Sequence, residues 1–189
     1  MSLNISKGNM YDFITHTWNT IKGECFHDCS YCYMKRWGKL NPVRFDEREL
    51  KNDLGKDNFI FVGSSCDIFA ENIPDEWIVK TLKHCEQCNN KYLFQTKNPG
   101  RFMDFIHTCV ISDKSVLCTT IETNKWIPEI MKNSPAPVDR AMFMNEISSV
   151  IGTYVTIEPI MDFDLNIMVD LIQTCDPVQV NIGAELNQP

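Results

Sequence analysis

The sequence has 189 residues, of which 43% are hydrophobic and 11% aromatic, and its formal net charge is −7. These proportions are typical of a globular protein with a buried core, and the acidic charge gives no general attraction to nucleic acid, so nucleic-acid binding is not supported by charge. No apolar run approaches the ~20 residues that span a bilayer, and the amino terminus lacks a signal-peptide pattern. We therefore expect one cytoplasmic domain over residues 1–189, without a membrane segment.

Short β-rich runs alternate with helical patterns along the chain. Apolar and β-branched residues predict strands over 13–21, 58–63, 91–96, 115–120, 152–160 and 177–185. Helix-start residues and apolar spacing predict helices over 45–54, 73–88, 99–109, 137–150 and 162–175. Continuous apolar strands joined by helices indicate parallel βαβ units, which build either an incomplete (β/α) barrel or an open doubly wound sheet. In both folds the ligand lies at the carboxyl ends of the strands.

Three cysteines follow the first predicted strand: Cys25, Cys29 and Cys32, with the spacing C-x3-C-x2-C. Thiolates are the usual iron ligands of iron–sulfur clusters, and three of them leave the fourth iron of a 4Fe-4S cluster open to a small molecule. The alternatives are chance clustering in a chain with nine cysteines, or a zinc site, which usually takes four ligands. His27 lies inside the loop but is poorly placed to complete a tetrahedron with the three thiols. Without an export signal, metal ligation or burial is favoured over disulfides.

The cysteine motif, with Tyr31 immediately before its last cysteine, resembles the signature of the radical S-adenosylmethionine superfamily. The longer stretch THTWNTIKGECFHDCSYCY is similar to that of a group of short phage and bacterial members, and more distantly to the spore photoproduct lyase branch. The resemblance to the short group extends through FIFVGSSCDIF, FQTKNPGRF, TIEP and VNIGAE. It implies an α/β fold, a partial (β/α)6 barrel of parallel strands, with the cluster loop after the first strand.

The resemblance also implies a chemistry. The 4Fe-4S cluster is reduced by one electron, and S-adenosyl-L-methionine bound at the open iron is cleaved to a 5′-deoxyadenosyl radical that abstracts hydrogen from a substrate. The implied partner is an external one-electron donor of the flavodoxin or ferredoxin type. The sequence does not identify the substrate, although an open barrel mouth suits a macromolecular one.

The ends of the predicted strands supply candidate contacts to S-adenosylmethionine. In the superfamily the region after the second strand contacts the amino group, and a hydroxyl and carboxylate set suits an ammonium ion. An aromatic residue at the position of Tyr31 lies near the adenine in relatives, Lys97 suits a carboxylate, and Gly183 lets the backbone approach the adenine. Side chains after the fourth strand suit the ribose hydroxyls. The predicted cofactor-binding residues are Tyr31, Ser64, Ser65, Asp67, Lys97, Thr119, Thr120, Glu122, Glu158, Asn181, Gly183 and Glu185.

These candidates also have purely structural interpretations. The Ser and Asp side chains after the second strand suit a turn in which they bond to the backbone. Lys97 equally suits a solvent-exposed position, and Tyr31 suits core packing. Glu158 lies between apolar neighbours, where an unpaired carboxylate is costly, so it is either a ligand contact or half of an ion pair.

The other cysteines carry weaker signals. Cys66 follows the second strand and is a weak candidate for a catalytic role as a hydrogen donor, as in some superfamily members. Cys85 and Cys88 lie with His84 inside a predicted helix, where buried thiols are common and half a zinc site is the alternative. The remaining ones read as core residues: Cys109, Cys118 and Cys175.

Two classes of function follow from these observations. The first is a radical S-adenosylmethionine enzyme. The second is a non-catalytic iron–sulfur or zinc protein that acts as an electron carrier or a partner subunit. The polar residues predicted at several strand ends favour the enzyme, because a carrier does not need them.

Overall fold

The computed structural model describes residues 3–6, 11–106, 111 and 114–183, so that the predicted site residue Glu185 and the predicted core residue Cys109 lie outside the described part. The strands are β1 (Asn4–Ile5), β2 (His16–Trp18), β3 (Ile21–Lys22), β4 (Arg44–Phe45), β5 (Phe59–Val62), β6 (Lys91–Thr96), β7 (Ser115–Thr120), β8 (Thr153–Ile157) and β9 (Gln179–Ile182). Seven of them form one sheet in the order β1-β2-β5-β6-β7-β8-β9, and β3 pairs with β4 separately.

Six strands of the main sheet, β2 and β5 to β9, are parallel and follow one another in chain order. β1 pairs antiparallel with β2 at one edge, and β9 forms the other. Right-handed crossovers between successive neighbours place the connecting segments on the same face of the sheet. The other face and the carboxyl ends of the strands are therefore available for a site.

The connecting segments contain five α-helices and three 3-10 helices among the described residues. The α-helices are α1 (Asp75–Glu86), α2 (Met103–Ile106), α3 (Pro128–Met131), α4 (Pro137–Ser148) and α5 (Leu165–Thr174), and the 3-10 helices span Tyr33–Trp37, Glu47–Lys51 and Pro99–Phe102. α1 follows Pro74 and has two acidic residues in its first turn, which is favourable at the positive end of a helix dipole. α4 begins with Pro137, a residue whose fixed φ suits the first helical position.

The main hydrophobic core lies between the helices and one face of the sheet. Alternate strand residues such as Ile60, Val62 and Phe94 are buried there against α1, α4 and α5. Burial of this face removes most of the large apolar side chains from water, and each contributes about 1.5–3 kcal/mol.

Part of the opposite face of the sheet is covered by the segment that precedes β2. Tyr11 and Ile14 are buried there with Leu93 and Cys118, and Phe13 packs beside them. The Tyr11 hydroxyl donates to Gln95 Oε1 at 2.7 Å and lies 2.6 Å from Thr156 Oγ1, so this segment is tied to β6 and β8 by polar contacts as well.

The predicted α/β class with parallel strands is confirmed, and each of the six predicted strands corresponds to a parallel strand of the sheet. The sheet is open between β1 and β9, and no closed barrel forms within the described residues. The prediction of an α-helix over 45–54 was wrong: β4 occupies its start, and a 3-10 helix follows at Glu47–Lys51. The first strand is much shorter than predicted because residues 21–22 leave the main sheet to pair with β4. Cys118 and Cys175 are core residues, as predicted.

Within the described part of the chain, no helix combines the length and the hydrophobicity needed to cross a lipid bilayer.

Candidate functional site

A cavity of about 720 Å³ opens at the carboxyl ends of the parallel strands. Its walls come from the cysteine loop, from the residues that follow β5, β6 and β8, and from the end of β7. The predicted site residues in its lining are Cys25, Cys29, Tyr31, Cys32, Ser64, Ser65, Cys66, Asp67, Lys97, Thr120 and Glu158. One cavity therefore brings together all three cysteines of the motif and eight further candidates.

The cysteine loop is held in place at both of its ends. Gly23 begins it with φ +112°, and a Cβ atom there would lie 2.6 Å from Pro42 O, so only glycine fits this approach. At the far end, Cys29 is buried, with its sulfur 3.2 Å from Ser134 Oγ. Cys25 and Cys32 are half-buried and more accessible to the cavity.

Cys66 lies beside the first cysteine of the motif. A hydrogen bond from the Cys66 thiol lowers the pKa of Cys25, and the same contact together with burial raises the pKa of Cys66. Cys25 is thus favoured as the thiolate, the form that binds metals, while Cys66 keeps its proton. Cys66 is 3% exposed and lines the cavity. The sequence predicts it as a weak candidate for donating a hydrogen atom during catalysis. That role stays a prediction.

His27 and Asp67 form a buried pair that connects the cysteine loop to the end of β5. His27 Nε2 lies 2.8 Å from Asp67 Oδ2, and the same oxygen accepts bonds from Thr96 Oγ1 at 2.8 Å and from the Lys97 backbone N–H at 2.9 Å. Burial alone would lower the pKa of His27 and raise that of Asp67, but their mutual attraction outweighs it and reverses both directions. Asp67 therefore anchors the loop to two strand ends.

The two serines after β5 are also tied to neighbouring residues. The Asn19 side chain bonds to the Ser64 hydroxyl, and its Oδ1 accepts from the Ser65 backbone N–H at 3.0 Å. The Tyr33 hydroxyl donates to the Ser64 carbonyl. These bonds fix the turn so that its serines face the cavity.

Glu122 is the centre of a buried charged cluster behind the cavity wall. It is fully buried and accepts hydrogen bonds from Arg140 Nη1 at 2.7 Å, from Lys97 Nζ at 3.1 Å and from the Tyr31 hydroxyl. Burial alone would raise the pKa of Glu122, but Lys97 and Arg140 lower it to about 2. Lys97 also lies 5.0 Å above the Tyr31 ring, as a cation–π contact. Tyr31 and Lys97 are held at the cavity wall by one carboxylate.

A chain of polar side chains forms the floor of the cavity. Gln95 Nε2 donates to Thr120 Oγ1 at 3.0 Å, and Gln95 Oε1 accepts from Tyr11. Because the Tyr11 hydroxyl has one proton and donates it to Gln95, its contact with Thr156 is one in which the threonine donates. The floor is thus rigid and hydrogen-bonded.

Glu158 and Gly183 meet at the end of β8 and β9. A Cβ atom at residue 183 would lie 2.6 Å from Glu158 Oε2 and 2.8 Å from its Cδ. Gly183 therefore leaves space for the Glu158 carboxylate, which lines the cavity. The prediction had assigned this space to adenine.

Among the described residues, four of the predicted contacts do not line the cavity: Thr119, Glu122, Asn181 and Gly183. Thr119 points toward the helices, and its hydroxyl donates to Thr96 O at 2.8 Å. Glu122 lies behind Tyr31 and Lys97. Asn181 bonds through its Oδ1 to the Gln179 side chain at 2.6 Å on β9. The contacts with S-adenosylmethionine predicted for these residues stay predictions.

Arg140 is an important residue of this region that was not predicted from the sequence. It is fully buried on α4, where it also donates to the carbonyls of Pro135 and Thr120. The signal was present in the sequence, because Arg140 shares one face of α4 with Met144 and Ile147. All the other buried residues of that face are apolar. An arginine on such a face needs a buried carboxylate, and Glu122 supplies it.

No group of three or more His, Cys, Asp or Glu side chains in the described residues is arranged to hold a single metal ion. At the half zinc site considered at Cys85 and Cys88, Cys85 is buried in the core, and the His84 ring bonds to the Asn52 carbonyl at 3.0 Å.

The comparisons with known proteins agree with this architecture. The family described as protein of unknown function (DUF5131) matches residues 9–178, whereas no curated protein matches the sequence. A solved structure of a spore photoproduct lyase mutant with bound AdoMet and dinucleoside spore photoproduct has a TM-score of 0.69 at 11% identity. A second mutant of that lyase has a TM-score of 0.68 at 13% identity. The matches cover 91% and 92% of this chain but 54% and 55% of the lyase chains, so this chain spans about half their length and shares their fold over that part.

Proposed function

We propose that this chain, which belongs to the family of proteins of unknown function DUF5131, is a radical S-adenosylmethionine enzyme. The observation that carries the proposal is the single cavity at the carboxyl ends of the strands, whose walls contain all three cysteines of the motif. The shared fold with a lyase that binds AdoMet supports it. In this proposal the open sheet acts as a partial (β/α)6 barrel, with the substrate entering from the open side.

The three thiols suit a 4Fe-4S cluster better than a single ion. A structural zinc site usually takes four protein ligands, whereas the motif supplies three thiols. A cluster spreads its ligands, since each thiolate binds a different iron. Cys25, Cys29 and Cys32 would hold three irons, and the lowered pKa of Cys25 favours the thiolate that this requires.

When bound, such a cluster supplies one electron that breaks a carbon–sulfur bond of S-adenosylmethionine, which leaves methionine and a 5′-deoxyadenosyl radical for hydrogen abstraction. An external one-electron donor restores the electron. The chain's own residues would bind and orient the cofactor. The serine hydroxyls of Ser64 and Ser65 and the Glu158 carboxylate offer acceptors to its ammonium and hydroxyl groups, and Tyr31 offers an aromatic face.

The buried anchors behind the cavity would keep those contacts in position. Asp67 fixes the cysteine loop through His27, and Glu122 fixes Tyr31 and Lys97. The pKa of Tyr31 is raised by burial and then by the charge of Glu122, so its hydroxyl stays a donor. An electron carrier has no use for a cavity of about 720 Å³ with such a lining, which argues against the non-catalytic alternative.

Anaerobic reconstitution with iron and sulfide tests the proposal. The reconstituted protein, incubated with dithionite and S-adenosylmethionine, should form 5′-deoxyadenosine, measured by liquid chromatography. Replacing Cys25, Cys29 or Cys32 by alanine should abolish both the cluster absorbance and the product.

Cys88→Ala is the matched control, because Cys88 is half-buried like Cys25 but lies outside the cavity lining. It should keep the iron content and the product yield of the wild type. A protein that takes up zinc stoichiometrically and no iron would contradict the proposal.

A further inference from the structure

A small aromatic and basic surface lies directly beyond the cysteine loop. The 3-10 helix Tyr33–Trp37 directly follows Cys32, its N-cap residue, whose carbonyl accepts a hydrogen bond from the Lys35 backbone N–H at 2.9 Å. Tyr33 and Trp37 are 54% and 68% exposed, which is unusual for such large rings. We call this the loop-helix surface, and its residues are Tyr33, Lys35, Arg36, Trp37 and Lys39.

The loop-helix surface carries positive charge on a chain whose net charge is −7. Lys35 is paired with Asp28 at 2.7 Å. Within the described residues Arg36 and Lys39 form no ion pair, and the Arg36 guanidinium lies 5.6 Å from the Tyr33 ring centre and 5.3 Å from that of Trp37. The net charge of the molecule repels an acidic partner, and the loop-helix surface offers that partner a local attraction.

The residue types of this surface are those that dominate protein–protein contacts. Trp, Tyr and Arg are the residues most enriched among interface hot spots, and lysines at the periphery steer association more than they add affinity. The surface comprises five residues, and transient complexes of electron-transfer proteins use small interfaces. Tyr33, Lys35 and Lys39 also line the cavity, whereas Arg36 and Trp37 do not, so these two are the members of the surface that face outward from the site.

From these observations we infer that the loop-helix surface docks the acidic one-electron carrier protein that reduces the proposed cluster, an inference that rests on the proposed function. The carrier loses one electron and the cluster gains it, with no bond made or broken. The connection through Cys32 places the docked carrier next to a cluster ligand, which keeps the path of the electron short.

A single-stranded nucleic acid is the other class of partner that stacks on aromatic rings beside basic residues. Two features favour the carrier protein. Arg36 already covers one face of both rings, where bases would stack. Only Arg36 and Lys39 are unpaired cations here, whereas non-specific nucleic-acid binding depends on many phosphate contacts.

The charge reversal Arg36→Glu tests the inference, with a flavodoxin as the acidic carrier. In stopped-flow measurements the reduced flavodoxin should reduce the reconstituted Arg36→Glu protein about tenfold more slowly than the wild type, and the wild-type rate should fall as salt increases. Trp37→Ala should weaken the binding of oxidised flavodoxin, measured by biolayer interferometry, by about tenfold. Reduction by dithionite, a small reagent that needs no docking, should be unchanged in both variants.

Lys56→Glu is the control, because it makes an equal charge change on an exposed residue before β5, at the opposite end of the strands. It should leave flavodoxin binding and reduction within about twofold of the wild type.

Equal rates of reduction by flavodoxin for Arg36→Glu and the wild type would overturn the inference while leaving the proposed function intact. The inference would also be overturned if Arg36→Glu weakened the binding of an oligothymidylate and left the binding of flavodoxin unchanged. A chain that binds no reducible cluster would overturn the proposed function itself.

Discussion

At the scale of single residues, the contact between Gly183 and Glu158 has the sharpest consequence. The carboxylate occupies the space that a side chain at residue 183 would need, and it forms part of the cavity lining. The atoms that would collide are at the far end of a flexible side chain, so the collision can be relieved by moving Glu158 rather than the backbone. Its position, more than the stability of the fold, depends on this glycine.

Gly183→Ala should therefore displace the Glu158 carboxylate. We expect the free energy of unfolding to fall by no more than about 1 kcal/mol, because only one side chain has to move. The dissociation constant for S-adenosylmethionine, measured by equilibrium dialysis on the reconstituted protein, should rise about tenfold, since one polar contact contributes roughly 1.4 kcal/mol.

Gly152→Ala provides the comparison, because a Cβ atom there would meet only Val178 Cγ2 at 3.9 Å, an ordinary contact. This variant should bind S-adenosylmethionine like the wild type. If Gly183→Ala also kept the wild-type affinity, Glu158 would have no part in binding.

The candidate site was predictable from the sequence where chemistry is local. The spacing of Cys25, Cys29 and Cys32 and the polar residues after the strands identified eleven of the 25 residues that line the cavity. The partners of buried charges were not predictable, because they depend on contacts between distant segments. Arg140 reaches Glu122 across 18 positions, and His27 reaches Asp67 across 40.

At the scale of elements, the segment around Tyr11 closes one face of the sheet. Its hydroxyl bonds to Gln95 on β6 and Thr156 on β8, and its ring packs on Phe13 with centres 5.3 Å apart. Because Gln95 and Thr120 also line the cavity, this segment supports the cavity floor.

Tyr11→Phe should destabilise the protein by about 1–3 kcal/mol, because the ring keeps its packing while half-buried Gln95 and buried Thr156 lose a partner. Urea denaturation followed by circular dichroism measures the change. Tyr154→Phe is the control in the same aromatic cluster, since the structure records no hydrogen bond of its hydroxyl among the described residues. Equal stabilities for the two variants would show that the Tyr11 hydroxyl does not support the floor.

The predicted elements were most accurate where one strand continues through the core. The bounds of β6 and β7 match the prediction, because continuous apolar runs are typical of strands covered on both faces. The region between β2 and β5 was predicted poorly. Its β3–β4 pair and its 3-10 helix depend on ion pairs such as Lys22 with Asp46 and Glu49, which join segments more than twenty residues apart.

At the scale of the whole molecule, the Glu122 cluster connects four elements. The carboxylate follows β7, Lys97 follows β6, Tyr31 belongs to the cysteine loop and Arg140 to α4. Protonation of Glu122 leaves the buried Arg140 charge without its counter-charge, and breaking a buried ion pair in this way is strongly destabilising. The four elements then lose a common anchor. Asp67 and Asp46 also have lowered pKa values and act in the same direction.

The stability of the fold should consequently fall in acid, and the sign follows from the pKa of Glu122. That pKa is about 2 in the folded protein and 4.5 for a free side chain, so unfolding takes up a proton between these values. The stabilisation, about 3 kcal/mol, is fully present above pH ~4.5 and is lost as the pH falls toward ~2. Denaturant titrations between pH 7 and 2 should show Glu122→Gln less stable at neutral pH and less dependent on pH than the wild type. Glu146→Gln, an exposed change on α4, should keep the wild-type slope, and a parallel slope for Glu122→Gln would mean that other carboxylates govern the acid transition.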